Sequence, residues 1–236
     1  RIFSRFVNPA DARGTKALKH ILYSAGLRVV NAVISFVIIP LYLTYLTEVS
    51  FGIWLTVSAV LNWFNFFDLG LGNGMRNRFA EAKAAGDMKL AATYVSTTYA
   101  LLIMISAALA AAFIIGHFFF DWSVVFEAPA HLKTDVNKMV FALALLFCPQ
   151  FFLQLIKMVV TADQRPAVAN LLNTLVNVLH LVALYILIYF GHGSLYKLAL
   201  AIGGINVAVP LVASIYFFST QYKDVAPQIK YVNFAH

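Results

Sequence analysis

Charge is scarce in this chain. Asp, Glu, Lys and Arg make up 11% of its 236 residues and hydrophobic residues 61%, whereas an average soluble domain carries about 25% charged residues. That balance excludes a water-soluble globule. Cysteine is almost absent as well: Cys148 stands alone inside an apolar run, so neither a disulfide framework nor a thiolate metal site can be assembled. No Gly-x-x-x-x-Gly-Lys-Ser/Thr segment occurs, which leaves direct ATP hydrolysis without its phosphate cradle. The net charge of +7 comes from basic residues scattered between apolar spans, with no dense tract. It therefore reads as membrane topology and not as a nucleic-acid surface. No small-residue cleavage site closes the first apolar run, so that run is a retained helix and not a signal peptide. No extramembrane stretch is long enough for a soluble catalytic domain.

What the chain has is apolar length. Six runs can be marked, at residues 21–45, 51–71, 94–116, 136–160, 167–190 and 198–219, each near the 20 residues that cross a roughly 30 Å hydrocarbon layer. Barrel strands would be about half that length and alternate in polarity. The expected fold is an all-α polytopic bundle of six transmembrane helices over 21–219. A basic interfacial segment (1–20) precedes it and a cytoplasmic linker (220–236) follows. Lys and Arg concentrate before the first run and after the second, fourth and sixth: Arg13, Lys16 and Lys19; Arg76, Arg78, Lys83 and Lys89; Lys157 and Arg165; Lys223 and Lys230. The opposite connections hold Glu48, then Asp121, Glu127, Lys133 and Asp135, then the uncharged turn at 191–194. The positive-inside bias then places both ends of the segment in the cytoplasm. Pro40, Pro149 and Pro210 fall inside spans, where a missing N–H permits a bend.

Polar residues inside the runs are the candidates for chemistry. Arg28 lies about 10 Å into its helix, and a guanidinium placed there costs about 2.5–3.5 kcal/mol on insertion scales unless it faces a cavity or a partner. Ser24, Arg28, Asn31 and Ser35 share one face, and an Arg on such a stripe suits bidentate phosphate contact. Snorkelling or an ion pair is the structural alternative. The second run carries Ser58, Asn62, Asn65 and Asp68, and the fifth Asn170, Asn173, Asn177 and His180. Amides in hydrocarbon must either bond between helices or line water. Three such stripes favour a shared hydrophilic cavity, while for any single Asn a helix-to-helix bond is the better reading. Arg76 and Arg78 are topology anchors that also meet cytoplasmic headgroups. No metal or organic cofactor is expected.

The segments Phe51-Gly52-Ile53-Trp54 and Phe67-Asp68-Leu69-Gly70-Leu71-Gly72-Asn73-Gly74-Met75-Arg76-Asn77 resemble the Wzx-type polysaccharide flippases of the MATE-like (MOP) superfamily. Similar wording recurs at Asp121-Trp122-Ser123 with Pro129, and from Gln164 to Asn170. The resemblance implies two bundles around a central cavity in the bacterial inner membrane. These would carry an undecaprenyl-pyrophosphate-linked oligosaccharide outward by alternating access, driven by an ion gradient whose ion, H+ or Na+, no residue here identifies. This chain would be the amino-terminal bundle. Its partners would be membrane lipids, the lipid-linked oligosaccharide, a second six-helix half and the polysaccharide polymerase machinery. Arg28 would meet the phosphate and the Asn stripes the sugars. A small-molecule or multidrug exporter of the same superfamily and a lipid II flippase are the near alternatives. A glycan polymerase or ligase using Asp121, Glu127, His131 and His192, or a scaffold that only recruits such enzymes, is the distant one.

Overall fold

The computed structural model describes residues 12–64, 70–191 and 193–233. Among them every regular element is helical: α1 (Ala12–Tyr45), α2 (Glu48–Trp63), α3 (Leu71–Ala84), α4 (Met88–Phe119), α5 (Trp122–Val125), α6 (Lys133–Leu153), α7 (Leu155–Ala162), α8 (Pro166–Phe190) and α9 (Leu195–Ser219). Among the described residues five spans are long and apolar enough to cross a membrane: Ala25–Tyr45 of α1, α4, Ala130–Ala162 through α6 and α7, α8 and α9. Large apolar side chains such as Val29, Phe36, Met104, Ile115, Tyr185 and Val212 point outward, which suits a hydrocarbon surround.

The second expected span is found in part, and residues 65–69 of it lie outside the described residues. α2 begins at Glu48 because Thr47 caps it, its hydroxyl accepting from Ser50 N at 3.3 Å, and Glu48 meets the positive end of the helix dipole. Its 16 residues cover about 24 Å, short of a full crossing. Leu71, expected to close that span, instead opens α3 after Gly70, which takes a left-handed conformation at φ 75°. The glycine-rich stretch from Leu71 is thus the start of an amphipathic helix. Gly72, Met75, Phe79 and Ala82 are buried at steps of three, four and three, while Asn77, Arg78 and Glu81 face out.

The fourth span sits at the centre of the bundle and the first at its edge: 61% of the former's apolar window is buried against 0% of the latter's. α1 lies mainly along α8, and α6 packs most extensively on α9. The closeness of that second pair depends on Gly203, where a Cβ would come within 2.8 Å of Leu146 Cδ1. All three span prolines lie inside helices. The fourth span parts at Gln154, five residues beyond Pro149, where Lys157 N bonds Gln154 O in a three-residue step.

Contacts sort the connections into two ends. At the acidic end, Tyr45 Oη reaches the Ser194 backbone, and Asp135 on α6 accepts from Leu195 N at the start of α9. At the basic end, Lys83 pairs with Asp163, and Arg165 bonds Gln221. Each end has its own apolar cluster. Trp54, Val57, Met139, Leu184, Leu195 and Leu198 belong to one; Phe79, Val95, Ile156, Val159, Tyr222 and Val225 belong to the other. The described part of the expected linker lies along α4, with Gln228 N on Ser96 Oγ at 3.1 Å and Asn233 N on Thr97 Oγ1 at 3.0 Å.

Candidate functional site

Two adjoining cavities, of about 320 and 250 Å³, lie between the helices and share Asn62 and Gln150 as walls. Gln154, Gly72 and Met158 line the first; Tyr42, Trp54, Ser58, His180 and Asn206 line the second. α1, α2, α6, α8 and α9 thus each supply a polar side chain to one cleft. Among the described residues its walls carry no Asp, Glu, Lys or Arg. A neutral surface that both donates and accepts hydrogen bonds, with the rings of Trp54, Phe147 and Phe151 beside it, fits a hydroxyl-rich ligand better than a compact ion.

The three sequence stripes do not all reach this cleft. Asn62 and His180 do. Asn31 Nδ2 donates to Thr174 Oγ1 at 2.9 Å and Asn177 Nδ2 donates to Asn31 Oδ1 at 3.0 Å, so these residues bind α1 to α8. Asn173 Oδ1 accepts from Lys157 Nζ at 2.7 Å, and the half-buried Asn170 gives its carbonyl to Thr174 Oγ1. The fifth-span stripe divides because ten residues at about 100° each turn His180 some 80° away from Asn170. Arg28 is exposed on α1, outside the cleft walls. Asn65 and Asp68 lie outside the described residues. Arg76 is half-buried on α3, and Arg78 points out to Glu81 at 3.5 Å.

Gln150, Gln154 and Asn206 were not among the sequence candidates. The signal was present, because Gln150 and Gln154 are one turn apart inside the fourth apolar run and Asn206 interrupts the sixth. A search for stripes of three or more polar residues passes over pairs and singles.

Away from the cleft, the polar side chains at the two ends are committed to structure. Asp121 caps α5, meets Lys133 Nζ at 2.7 Å and accepts from Ser123 Oγ and Asn137 Nδ2. Lys133 above all, then the two neutral donors, hold its carboxyl well below the usual range. At the other end Asp163 accepts from Lys83, from Arg165 at 3.5 Å and from Tyr222 Oη at 2.9 Å. Burial first, then the neighbouring carboxylate, pushes the Tyr222 phenol up. Glu127 and His131 are exposed, and His192 lies outside the described residues. Among those residues no three His, Cys, Asp or Glu side chains gather as a metal site would need. No family model, no curated protein and no solved structure matches this chain.

Proposed function

We propose that the chain is the amino-terminal bundle of a flippase for lipid-pyrophosphate-linked oligosaccharide. The observation that carries the reading is the neutral, amide-rich cleft in the middle of an otherwise apolar bundle. The cleft amides are exposed or half-buried, and sugar hydroxyls match such groups from either side, as donor or acceptor. Each cavity is near the lower limit of small-ligand pockets, roughly 300 Å³, which suits one sugar unit at a time. The Wzx-like motifs support the same reading. A carrier of cationic drugs would gain from a carboxylate on the cleft wall, and the described walls have none.

In this proposal the basic end faces the bacterial cytoplasm, and Arg28, exposed beside the α1–α8 seam, meets the phosphate where α1 borders the second bundle. The coupling ion is H+ or Na+. The test is translocation of a fluorescent lipid-pyrophosphate oligosaccharide by the full-length protein in liposomes. Asn62→Leu with Gln150→Leu should slow it about tenfold, the effect of losing some 1.4 kcal/mol of hydrogen bonding. Arg28→Ala should stop it, with Arg28→Lys recovering part. Wild-type rates in the double variant would remove the cleft from the transport path.

A further inference from the structure

His180 is the only imidazole on the cleft walls, and its Nε2 is buried with no hydrogen-bond partner among the described residues. The Ile202 backbone and the Asn206 side chain, an amide that can turn its oxygen toward the ring, lie beside it. A neutral imidazole has one N–H to give and leaves its other nitrogen in need of a donor. The charged form has two N–H groups, and α9 offers oxygen atoms to receive them.

The other titratable or charged groups near the ring are few. α1 contributes the Tyr42 phenol to the same cavity, and the described lining from α2, α6 and α9 contributes none. The nearest cation on α7 is Lys157, bonded to Asn173 two turns along α8 from His180, about 10 Å away along the axis. An ionisable side chain at that depth in an apolar span is costly to keep unless it is used.

We propose that His180 is a proton-binding site whose charging turns the neutral cleft cationic, so that a proton and an anion such as pyrophosphate bind there together, each favouring the other. The proton enters from water onto the free ring nitrogen, and the imidazolium then holds the Asn206 oxygen on one side while presenting positive charge to the cleft. When the proton leaves, the cleft returns to its neutral, sugar-tolerant state and the anion loses its counter-charge. The anion part of this inference rests on the flippase reading; the proton part does not.

Trp54 lines the same cavity and reports the ring's charge directly. In the full chain carrying Trp63→Phe and Trp122→Phe, Trp54 emission should fall in one step as pH is lowered through the range where histidine titrates, about pH 7 to 5. His180→Gln, checked for an unchanged melting temperature, should abolish that step. Asn206→Leu, which keeps the imidazole and removes an acceptor for its charged form, should move the midpoint downward. Inorganic pyrophosphate should move the wild-type midpoint upward, by reciprocity of linked binding, and leave His180→Gln unaffected. A step that survives in His180→Gln overturns the proton site. A midpoint indifferent to pyrophosphate overturns the joint binding. Neither result involves transport, so failure here is distinct from failure of the flippase reading.

Discussion

Asp135, in the first turn of α6, shares the capping of α9 with Ser194: its Oδ2 accepts from Leu195 N at 2.6 Å and its Oδ1 from Ser194 Oγ at 2.8 Å, while Ser194 Oγ accepts from Lys197 N. One carboxylate on α6 therefore holds the start of α9 and sets the two helices running side by side in the same direction. An N-terminal cap contributes about 1 kcal/mol, and this one also anchors the most extensive helix pair. Asp135→Ala should lower the midpoint of denaturant unfolding in micelles by that order, while Asp135→Asn keeps most of it. Equal stability of Ala and wild type would mean that Ser194 caps α9 unaided.

Gly203 is required by its neighbour. A side chain there would strike Leu146, and overpacking of this kind costs about 1–3 kcal/mol. Gly203→Val should destabilise the protein, and Leu146→Ala should restore part of the loss in the double variant. Additive losses in the double variant would show that the two positions do not compete for space.

The Asp163 carboxylate gathers Lys83 of α3, Arg165 and the Tyr222 hydroxyl. Asp163→Asn should free residues 222–233 from the bundle, so that limited proteolysis cuts there faster than in wild type. The raised phenol pKa also has a sign. A proton held more tightly in the folded state than in the unfolded state gives stability that is complete below about pH 10 and is lost as pH climbs toward the higher folded value. Melting temperature should therefore decline more steeply above pH 10 in wild type than in Tyr222→Phe. Parallel declines would disconnect Tyr222 from the alkaline limb.

Asp121 behaves in the opposite sense. Its depressed pKa means that its contribution is present above the ordinary carboxylate value of about 4 and fades as pH falls toward the lower folded value. Asp121→Asn should be less stable than wild type at pH 6, and the gap should narrow as acid is added below pH 4. A gap independent of pH would assign its effect to shape and not to charge.

Much of this architecture was legible in the chain. The apolar runs at 94–116, 136–160, 167–190 and 198–219 each lie inside the helices found, because a long hydrophobic run has few other solutions. The pairing of ends was legible too, since Lys83 and Arg165 stand on one side of the charge bias and Asp135 and Glu48 on the other. α3 was not, because Gly70, Gly72 and Gly74 suggest a loop, and only the burial of Met75 and Phe79 against neighbouring helices makes a helix of it. At the site, periodicity placed Asn31 and Asn177 on the correct faces but could not say that these faces meet each other. That depends on how α1 leans on α8, which is a property of the whole bundle. Gln150, Gln154 and Asn206 became significant only once five separate helices were brought to one cleft.

The polar cleft also divides the protein's mechanical behaviour. The apolar cluster around Trp54 and Met139 and the one around Phe79 and Ile156 have Leu61 as a shared flanking residue, and the exposed Asn62 with the half-buried Gln150 and Asn206 lines the polar cleft where continuous hydrocarbon would otherwise run. A core interrupted in this way holds each end firmly and the middle loosely. Amide exchange should accordingly resolve two slow-exchanging blocks with a faster seam through Gln150 and Gln154, and a rocking movement of one block on the other would break no apolar packing within either.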